Sequence, residues 1–126
     1  MSSIIQWLQD WAKRQIDGDW EHELGISISM LDNPGWILSA DVSNYGDFLT
    51  ETKPWGRDND VDWIDFEIRV IAKTYAYIEI FGDISKLNKI LYSFKAIIGE
   101  LEELERQGKG ILSAQRIKEI IDDALS

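Results

Sequence analysis

The residue types best suited to chemistry crowd into one short segment, DGDWEHE, which spans residues 17–23. The segment contains four carboxylates and the only histidine of the chain. Carboxylate oxygens and an imidazole nitrogen can bind a divalent cation or transfer protons in general acid–base catalysis. A small metal-dependent enzyme that uses the cluster from Asp17 to Glu23 is therefore one hypothesis for the function.

Known metal and catalytic motifs do not fit this chain. One histidine is too few for a two-histidine metal site, and the absence of cysteine excludes thiolate ligands and nucleophiles. An EF-hand loop needs Gly at its sixth position and Glu at its twelfth, which here are His22 and Ile28. The sequence also contains no glycine-rich phosphate loop and no G-x-S-x-G motif. We therefore predict no catalytic residue, no metal and no cofactor.

A structural role explains the same segment better. Asp17 and Asp19 suit an exposed turn around Gly18, and Trp20 is expected to pack into the core between the first helix and the first strand. The residues that follow are expected to line one edge of a binding surface. They are Glu21, His22 and Glu23.

The overall charge restricts the class of partner. The 126 residues include 13 Lys and Arg against 23 Asp and Glu, which gives a formal net charge of −10. Direct nucleic-acid binding is disfavoured, because phosphate contacts need clustered basic side chains. No apolar run approaches the roughly 18 residues of a membrane span, and the start MSSIIQWLQDW does not resemble a signal peptide. We expect a cytoplasmic protein that associates with a basic partner.

Hydrophobic periodicity predicts an α+β fold with an antiparallel sheet of about four to five strands. A helix over residues 3–16 precedes the sheet, and helices follow it. The first of these helices is expected over residues 84–98 with Asp83 as its cap. A short acidic helix is expected after Gly99, and a last helix is expected to be capped by Ser113.

Two expectations concern the organisation of the chain. Residues 47–52 are expected to form a short strand within a loop. Residues 1–98 are expected to form the main domain, and residues 99–126 a helical extension packed on it.

The motif LDNPGW, residues 31–36, predicts a turn between the first two strands. A two-residue loop would mix polar and apolar residues on each face, so the loop length must be odd. A three-residue loop would place Asn33, which precedes a proline, in a disfavoured helical conformation. We therefore expect a five-residue loop in which Gly35 has a positive φ and Trp36 is a packing anchor. The loop residues are Asp32, Asn33, Pro34, Gly35 and Trp36.

A second hairpin carries the candidate binding surface. A three-residue loop at 72–74 matches the apolar faces of its two strands and places Glu67 directly opposite Glu79. Opposed like charges and exposed aromatic side chains both need an explanation, which a basic partner would supply. The alternative is that the terminal helices cover this face and that Arg69 neutralises the glutamates. The predicted partner-binding residues are Trp63, Asp65, Glu67, Tyr75, Tyr77, Glu79 and Phe81.

Several segments, in their order along the chain, resemble the Imm53 family of bacterial immunity proteins. They are WLQDW in the first helix, DGDWEHELGI, LDNPGW, DWI, and a helix that follows FGD. The resemblance covers about residues 4–98, and DGDWEHE and LDNPGW are its most specific parts. It implies an α+β fold and the inhibition of a toxin domain from a polymorphic toxin system. It identifies no toxin-contacting residues, and residues 99–126 lie outside it.

The leading hypothesis is an immunity protein that is not an enzyme and that occludes its cognate toxin domain by stoichiometric binding. Many such toxins are nucleases with basic grooves, and an acidic inhibitor can occupy the field that holds phosphate. Besides the metal-dependent enzyme, a third hypothesis remains. It is an adaptor domain that forms a homodimer through its C-terminal helices.

Overall fold

A four-stranded antiparallel sheet with helices on one face is the framework of the described residues. The computed structural model describes residues 3–22, 25–32, 34–54, 63–71 and 75–124. Within them one helix precedes the sheet and two follow it, which confirms the predicted α+β class. The elements are α1 (Ile4–Gln15), β1 (Ile26–Leu31), β2 (Gly35–Asp41), β3 (Ile64–Ile71), β4 (Tyr75–Asp83), α2 (Leu87–Gln107) and α3 (Ala114–Asp123). Short 3-10 helices span Trp20–His22 and Ser43–Phe48.

The strands lie in the order β1-β2-β4-β3, and every neighbouring pair is antiparallel. The register of β3 with β4 pairs Val70 with Ala76 and Glu67 with Glu79, as predicted. The connecting residues 72–74 lie outside the described part of the chain. Side chains alternate between the two faces of a sheet, and the even-numbered residues of these strands point towards the helices. Those that lie in the hydrophobic core are Leu38, Ala40, Phe66, Ile68, Ala76, Ile78 and Ile80.

The first hairpin has a shorter loop than predicted. Leu31 pairs with Gly35 and Met30 with Trp36, so only residues 32–34 connect the strands, and the five-residue loop was wrong. Both lengths are odd and keep the same faces together, so the hydrophobic pattern could not distinguish them. The expected positive φ at Gly35 was also wrong. A Cβ at Gly35 would lie 2.5 Å from the carbonyl oxygen of Gly82, so glycine is needed there for the close approach of β4. Asn33 lies outside the described residues.

The helix that follows the sheet begins later and runs further than predicted. Asp83 ends β4 and does not cap α2, which begins at Leu87 and continues through Gly99 as one helix. The expected break at Gly99 was wrong because the apolar stripe continues past it, with Ile98 and Leu101 fully buried. Burying that stripe outweighs the cost of about 1 kcal/mol that glycine imposes on a helix interior. Neither α2 nor any other helix in the described part of the chain has the length and hydrophobicity to span a membrane.

Residues 47–52 do not form the predicted strand. Part of a 3-10 helix and two single bridges occupy this region. Leu49 bridges Leu112, just before α3, and Thr52 bridges Ile68 of β3. Thr52 N–H donates to the Ile68 carbonyl oxygen at 2.9 Å, and Thr52 Oγ1 accepts from Ile68 N–H at 3.0 Å. The segment therefore covers part of the outer edge of β3.

Aromatic side chains join α1 to α2 and to the start of the sheet. Trp11 is fully buried and packs edge-on against Phe94 at a centroid distance of 5.1 Å and against Trp20 at 5.7 Å. Trp7 stacks on Trp11 at 6.3 Å. Trp20 thus packs against the core beside the first helix, as predicted.

The last helix belongs to the same core. Ile117, Ile120 and Ile121 of α3 are buried within it. Ser113 caps α3 as predicted, because its Oγ accepts from the N–H of Arg116 at 3.1 Å. The Arg116 side chain also forms an ion pair with Glu100, which ties α3 to α2.

The exposed position of Gly99 in α2 gives a stability prediction. No atom lies within 4 Å of a Cβ placed on Gly99, so alanine fits there without a clash. We expect Gly99→Ala to raise the free energy of unfolding by about 0.5–1 kcal/mol, since alanine loses less backbone entropy in a helix than glycine does. Urea denaturation followed by circular dichroism measures this change.

Gly108→Ala is the matched control for that variant. A Cβ is also unobstructed at Gly108, but its φ of +74° ends α2 in the left-handed region, where alanine is strained. We expect the control to lower the free energy of unfolding by about 1 kcal/mol. A destabilising effect of Gly99→Ala would contradict the description of α2 as one continuous helix.

Candidate functional site

The corner between α1 and β1 uses its carboxylates for local hydrogen bonds. Asp17 Oδ1 accepts from the backbone N–H groups of Asp19 and Trp20, both at 2.9 Å. The Glu21 carboxylate reaches back and accepts from the N–H of Asp17 at 3.2 Å and of Gly18 at 3.0 Å. These reciprocal bonds resemble a capping box and stabilise the short 3-10 helix at the corner.

Backbone N–H groups at this corner lower the pKa of both carboxyl groups. The N–H groups of Trp20 and Asp19 lower the pKa of Asp17. The pKa of Glu21 is lowered by its own backbone N–H, against the opposing effect of desolvation, and further by the N–H groups of Gly18 and Asp17. Carboxyl groups whose pKa is lowered are poor proton donors at neutral pH.

The structure assigns this segment a role in the turn. His22 and Glu21 are exposed, and Glu23 lies outside the described residues. Among the residues that the structure describes, no three His, Asp or Glu side chains are grouped so that they could hold a metal ion. The carboxylates of Asp17 and Glu21 bind the backbone of their own turn.

Two tryptophans of the sequence motifs anchor opposite ends of β2. Trp20 Nε1 donates to the carbonyl oxygen of Asp41, the last residue of β2, at 3.0 Å. Trp36 Nε1 donates to the carbonyl oxygen of Ile84, just after β4, at 3.0 Å. Trp36 also packs against the core, so it is the packing anchor that the motif LDNPGW predicted. The other described loop residues of this motif, Asp32 and Pro34, are exposed.

The predicted binding residues lie together on the sheet face opposite the helices, which we call the open face. It consists of the odd-numbered residues of the strands and Trp63, which precedes β3. The core cluster under α2 and α3 includes none of the predicted residues. In the described part of the chain the terminal helices therefore do not cover this face. The predicted residues on it are Trp63, Asp65, Glu67, Tyr75, Tyr77, Glu79 and Phe81.

Two opposed glutamates occupy the centre of the open face. Glu67 of β3 and Glu79 of β4 are directly paired, and Cβ atoms in such pairs lie about 5 Å apart. Ser39 Oγ donates to Glu79 at 3.2 Å, and Arg69 Nε contacts Glu67 at 3.4 Å. The Arg69 side chain is 59% exposed, so water screens this ion pair and it offsets only part of the repulsion. Glu67, Arg69, Tyr77 and Glu79 line a depression of about 300 Å³.

Aromatic pairs flank the glutamates at both ends of the open face. Trp63 and Phe81 pack edge-on at 6.0 Å near one end, and Tyr75 and Tyr77 pack at 5.5 Å near the other. Phe81 and both tyrosines are half-buried, so part of each ring faces solvent. Trp63 and Asp65 are only 9% and 4% exposed, so they offer little area for direct contact and mainly support their exposed neighbours. The open face thus combines aromatic ends with a negatively charged centre.

An aspartate at the end of β4 holds the backbone of Trp63 in place. Asp83 Oδ2 accepts from Trp63 N–H at 2.7 Å, while Oδ1 accepts from the N–H and the hydroxyl of Ser85 at 2.8 and 2.5 Å. Burial alone would raise the pKa of Asp83, but the hydrogen bonds from Ser85 and Trp63 hold this pKa below its ordinary value. β2 ends in a similar turn, in which Asp41 Oδ1 accepts from the N–H and the hydroxyl of Ser43 at 2.9 and 2.6 Å.

Sequence reasoning missed the part of the open face that β2 contributes. Ser39 lies opposite Glu79 and Ile37 opposite Phe81, so the face spans three strands in its central part. β2 and β4 are far apart in the sequence, so no local sequence pattern could predict that they pair. The repeated Asp-x-Ser sequence at 41–43 and 83–85 was a usable local signal for two similar strand ends.

Comparison with known proteins gives a family for most of the chain. The profile of the family described as immunity protein 53, Imm53, matches residues 5–99 and so confirms the resemblance seen in the sequence. The matched range contains almost all of α1, the whole sheet and the first half of α2. No curated protein and no solved structure matches the chain.

Asp83→Asn tests how the end of β4 is stabilised. Because the pKa of Asp83 is lowered in the folded state, its charged form stabilises the fold above the unfolded-state pKa of about 3.9. We expect the variant to lower the free energy of unfolding at neutral pH by on the order of 1 kcal/mol. The difference from the wild type should shrink as the pH falls through the folded-state pKa, where the wild-type carboxylate also becomes protonated. Urea denaturation over this pH range measures both effects.

The exposed Asp47 supplies the control, since Asp47→Asn makes the same chemical change away from Asp83. The control should differ little from the wild type at neutral pH. Equal stabilities of Asp83→Asn and the wild type at neutral pH would show that the Trp63 and Ser85 hydrogen bonds contribute nothing net.

Proposed function

We propose that this chain, which belongs to the immunity protein 53 (Imm53) family, neutralises one cognate toxin domain by binding it stoichiometrically through the open face. The observation that carries the immunity role is the family match over residues 5–99. The mechanism is occlusion, and it assigns no catalytic residue, metal or cofactor to this chain. The proposed place of action is the cytoplasm, where the toxin would otherwise act.

The composition of the open face supports its use as the binding surface. A sheet face that only meets water is expected to carry small polar or charged residues, yet this one carries half-buried Tyr75, Tyr77 and Phe81. Aromatic side chains of this kind are frequent anchors at protein interfaces, because they bury a large area at low cost in side-chain entropy.

The paired glutamates support a positively charged partner. Glu67 and Glu79 repel each other in the free protein, and Arg69 neutralises them only in part. A lysine or arginine from a partner, placed over the pair, would relieve this repulsion and gain two favourable contacts. The net charge of −10 would also steer a basic partner to the protein before contact.

The partner that this chemistry fits best is a toxin domain with a basic, concave surface. A nuclease has such a surface, because its groove binds phosphate. Covering the groove with the open face would exclude the substrate without any chemical step. We propose a nuclease on this ground, and we expect no binding of nucleic acid by the acidic chain itself.

We propose that the corner at residues 17–22 extends the interface. Trp20 binds Asp41 at the end of β2, and Asp41 pairs with Tyr77. The corner therefore lies near the end of the sheet that carries the tyrosines, and we propose that the exposed Glu21 and His22 add polar contacts at the rim of the interface. Glu23, which lies outside the described residues, belongs to the same proposed rim. Residues 99–126 are proposed to support this domain from the opposite side of the sheet.

The first prediction of this proposal concerns binding itself. Titration calorimetry with the toxin domain encoded beside this gene should give tight one-to-one binding that weakens as salt is added, because salt screens opposite charges. A catalytically inactive toxin variant keeps the expression host alive. An absence of binding at micromolar concentrations would contradict the proposal that this toxin domain is the partner. Binding that does not depend on salt would contradict the electrostatic mechanism.

The glutamate pair gives a second prediction, in which stability and binding change in opposite directions. Glu67→Gln/Glu79→Gln removes the repulsion, so we expect the free energy of unfolding to rise by about 0.2–1 kcal/mol. The toxin affinity of the same double variant should fall at least about tenfold, because neither position then presents a negative charge to the partner. Urea denaturation and titration calorimetry measure the two effects.

Asp10→Asn/Glu105→Gln is the matched control, because it makes the same change in net charge at exposed positions on the helices. The control should keep most of the toxin affinity. Equal weakening by both double variants would attribute the effect to net charge alone. Unchanged affinity of the glutamate variant would exclude the centre of the open face from the interface.

A further inference from the structure

The helices leave most of β1 uncovered. Four of its six residues are exposed, and among the apolar ones Met30 is 60% and Ile28 39% exposed. Ile28 and Met30 lie on the helix side of the strand, where the sequence predicts a half-buried face. Ser27 and Ser29 alternate with them and lie on the other side. Ile26 packs against the core, but the helical layer does not extend over the rest of the strand.

The outer edge of β1 also lacks a partner strand within the described residues, because β1 stands at the end of the order β1-β2-β4-β3. In an antiparallel sheet alternate residues of an edge strand point their N–H and C=O groups away from the neighbouring strand. Within the described residues these groups of β1 have no backbone partner, and they form a row that a further strand could bind.

The devices that usually protect a strand edge are missing from β1. Its sequence, ISISML, contains no charge and no proline, and its pairing with β2 is regular over all six residues. The other edge of the sheet is protected differently. β3 carries Glu67 and Arg69, and Thr52 occupies part of its edge. β1 is therefore the edge at which pairing with another chain is least opposed.

We propose that the strand that pairs with β1 is β1 of a second copy of this chain. Two copies with a net charge of −10 each repel one another wherever charged surfaces meet. In the described part of the chain β1 is the only helix or strand without a charged side chain. The edge of β1 is thus where two copies approach with the least repulsion. A basic partner, by contrast, is attracted to the charged surfaces elsewhere.

The edge is also complementary to itself. A two-fold axis perpendicular to the sheet makes the two β1 strands antiparallel and keeps the helices of both copies on the same side. Ile28 and Met30 of the two copies then lie near one another on the helix side, which covers apolar surface that is exposed in the monomer. Ser27 and Ser29 lie together on the other side. The two sheets become one continuous sheet whose open faces point in the same direction.

The size and charge of this interface define the expected affinity. A strand of six residues is about 20 Å long, and an interface of that length belongs to the small class, below about 1,200 Å² in total. We therefore expect a dimer that forms at micromolar or higher concentrations. Added salt should strengthen it, because salt screens the repulsion between the acidic copies. Toxin binding through the open face should respond to salt in the opposite direction.

Sedimentation velocity on the full chain without toxin tests the proposal. Protein concentrations from about 1 to about 500 μM, at low and at high salt, cover the expected range. The wild type should show a monomer–dimer equilibrium that shifts towards dimer at high salt. Met30→Lys should weaken the dimer at least about tenfold, because it places a charge at the edge. Ile28→Lys is the second variant, with the same expected effect.

Ile71→Lys is the matched control, because it replaces a 52% exposed aliphatic residue on the opposite edge strand and changes the net charge equally. The control should dimerise like the wild type. Circular dichroism checks that all three variants are folded.

Three results would overturn the proposal. The first is a wild type that stays monomeric at all concentrations and at both salt levels. The second is a dimer that both β1 variants leave intact, which would instead favour an interface on the C-terminal helices. The third is loss of toxin binding in folded Met30→Lys without any dimer in the wild type, which would assign the edge to the toxin.

Discussion

The burial of the apolar stripe of α2 against one face of the sheet is the interaction on which the other features depend. Ile90, Phe94 and Ile97 of α2 are fully buried with the even-numbered residues of the central strands. A single helical layer can cover only one face of a sheet, so the opposite face must meet either water or another molecule. The open face and its unusual residues are therefore a direct consequence of where the chain places its helices. The C-terminal helix reinforces the same choice, since its isoleucines extend this layer and do not cross to the other side.

Two groups of acidic residues have different roles in this protein. Asp17, Glu21, Asp41 and Asp83 accept hydrogen bonds from nearby backbone N–H groups, and they stabilise turns at the ends of elements. Glu67 and Glu79 sit on a regular sheet and face each other. Removing a charge from the first group is expected to lower the free energy of unfolding. Removing the charges of the second group is expected to raise it, because the two glutamates repel each other. This contrast, and not the total of acidic residues, separates structural carboxylates from the candidates for recognition.

Sequence periodicity predicted the faces of the sheet well and its extent poorly. The register that opposes Glu67 and Glu79 followed from the period of two together with a loop placed at residues 72–74, and an even loop would have mixed the faces. The same argument failed at residues 32–36, since loops of three and five residues preserve the same faces. Gly99 was misjudged because the burial of a long apolar stripe exceeds a local propensity. The exposure of Met30 could not be predicted, because alternation indicates which side a residue faces and does not report where the helical layer ends.

Two glycines at one end of the sheet bear on how such a protein can change over evolution. A side chain at Gly35 would meet the backbone of β4, and one at Gly82 would lie 2.9 Å from the carbonyl oxygen of Trp63. Substitution at Gly35 would push β2 away from β4, and substitution at Gly82 would push β4 away from the residue that leads into β3. Residues such as Tyr77 and Glu79 carry no comparable constraint on the backbone. A lineage can therefore exchange the side chains of the open face, the proposed binding surface, while the two glycines preserve the scaffold that presents them.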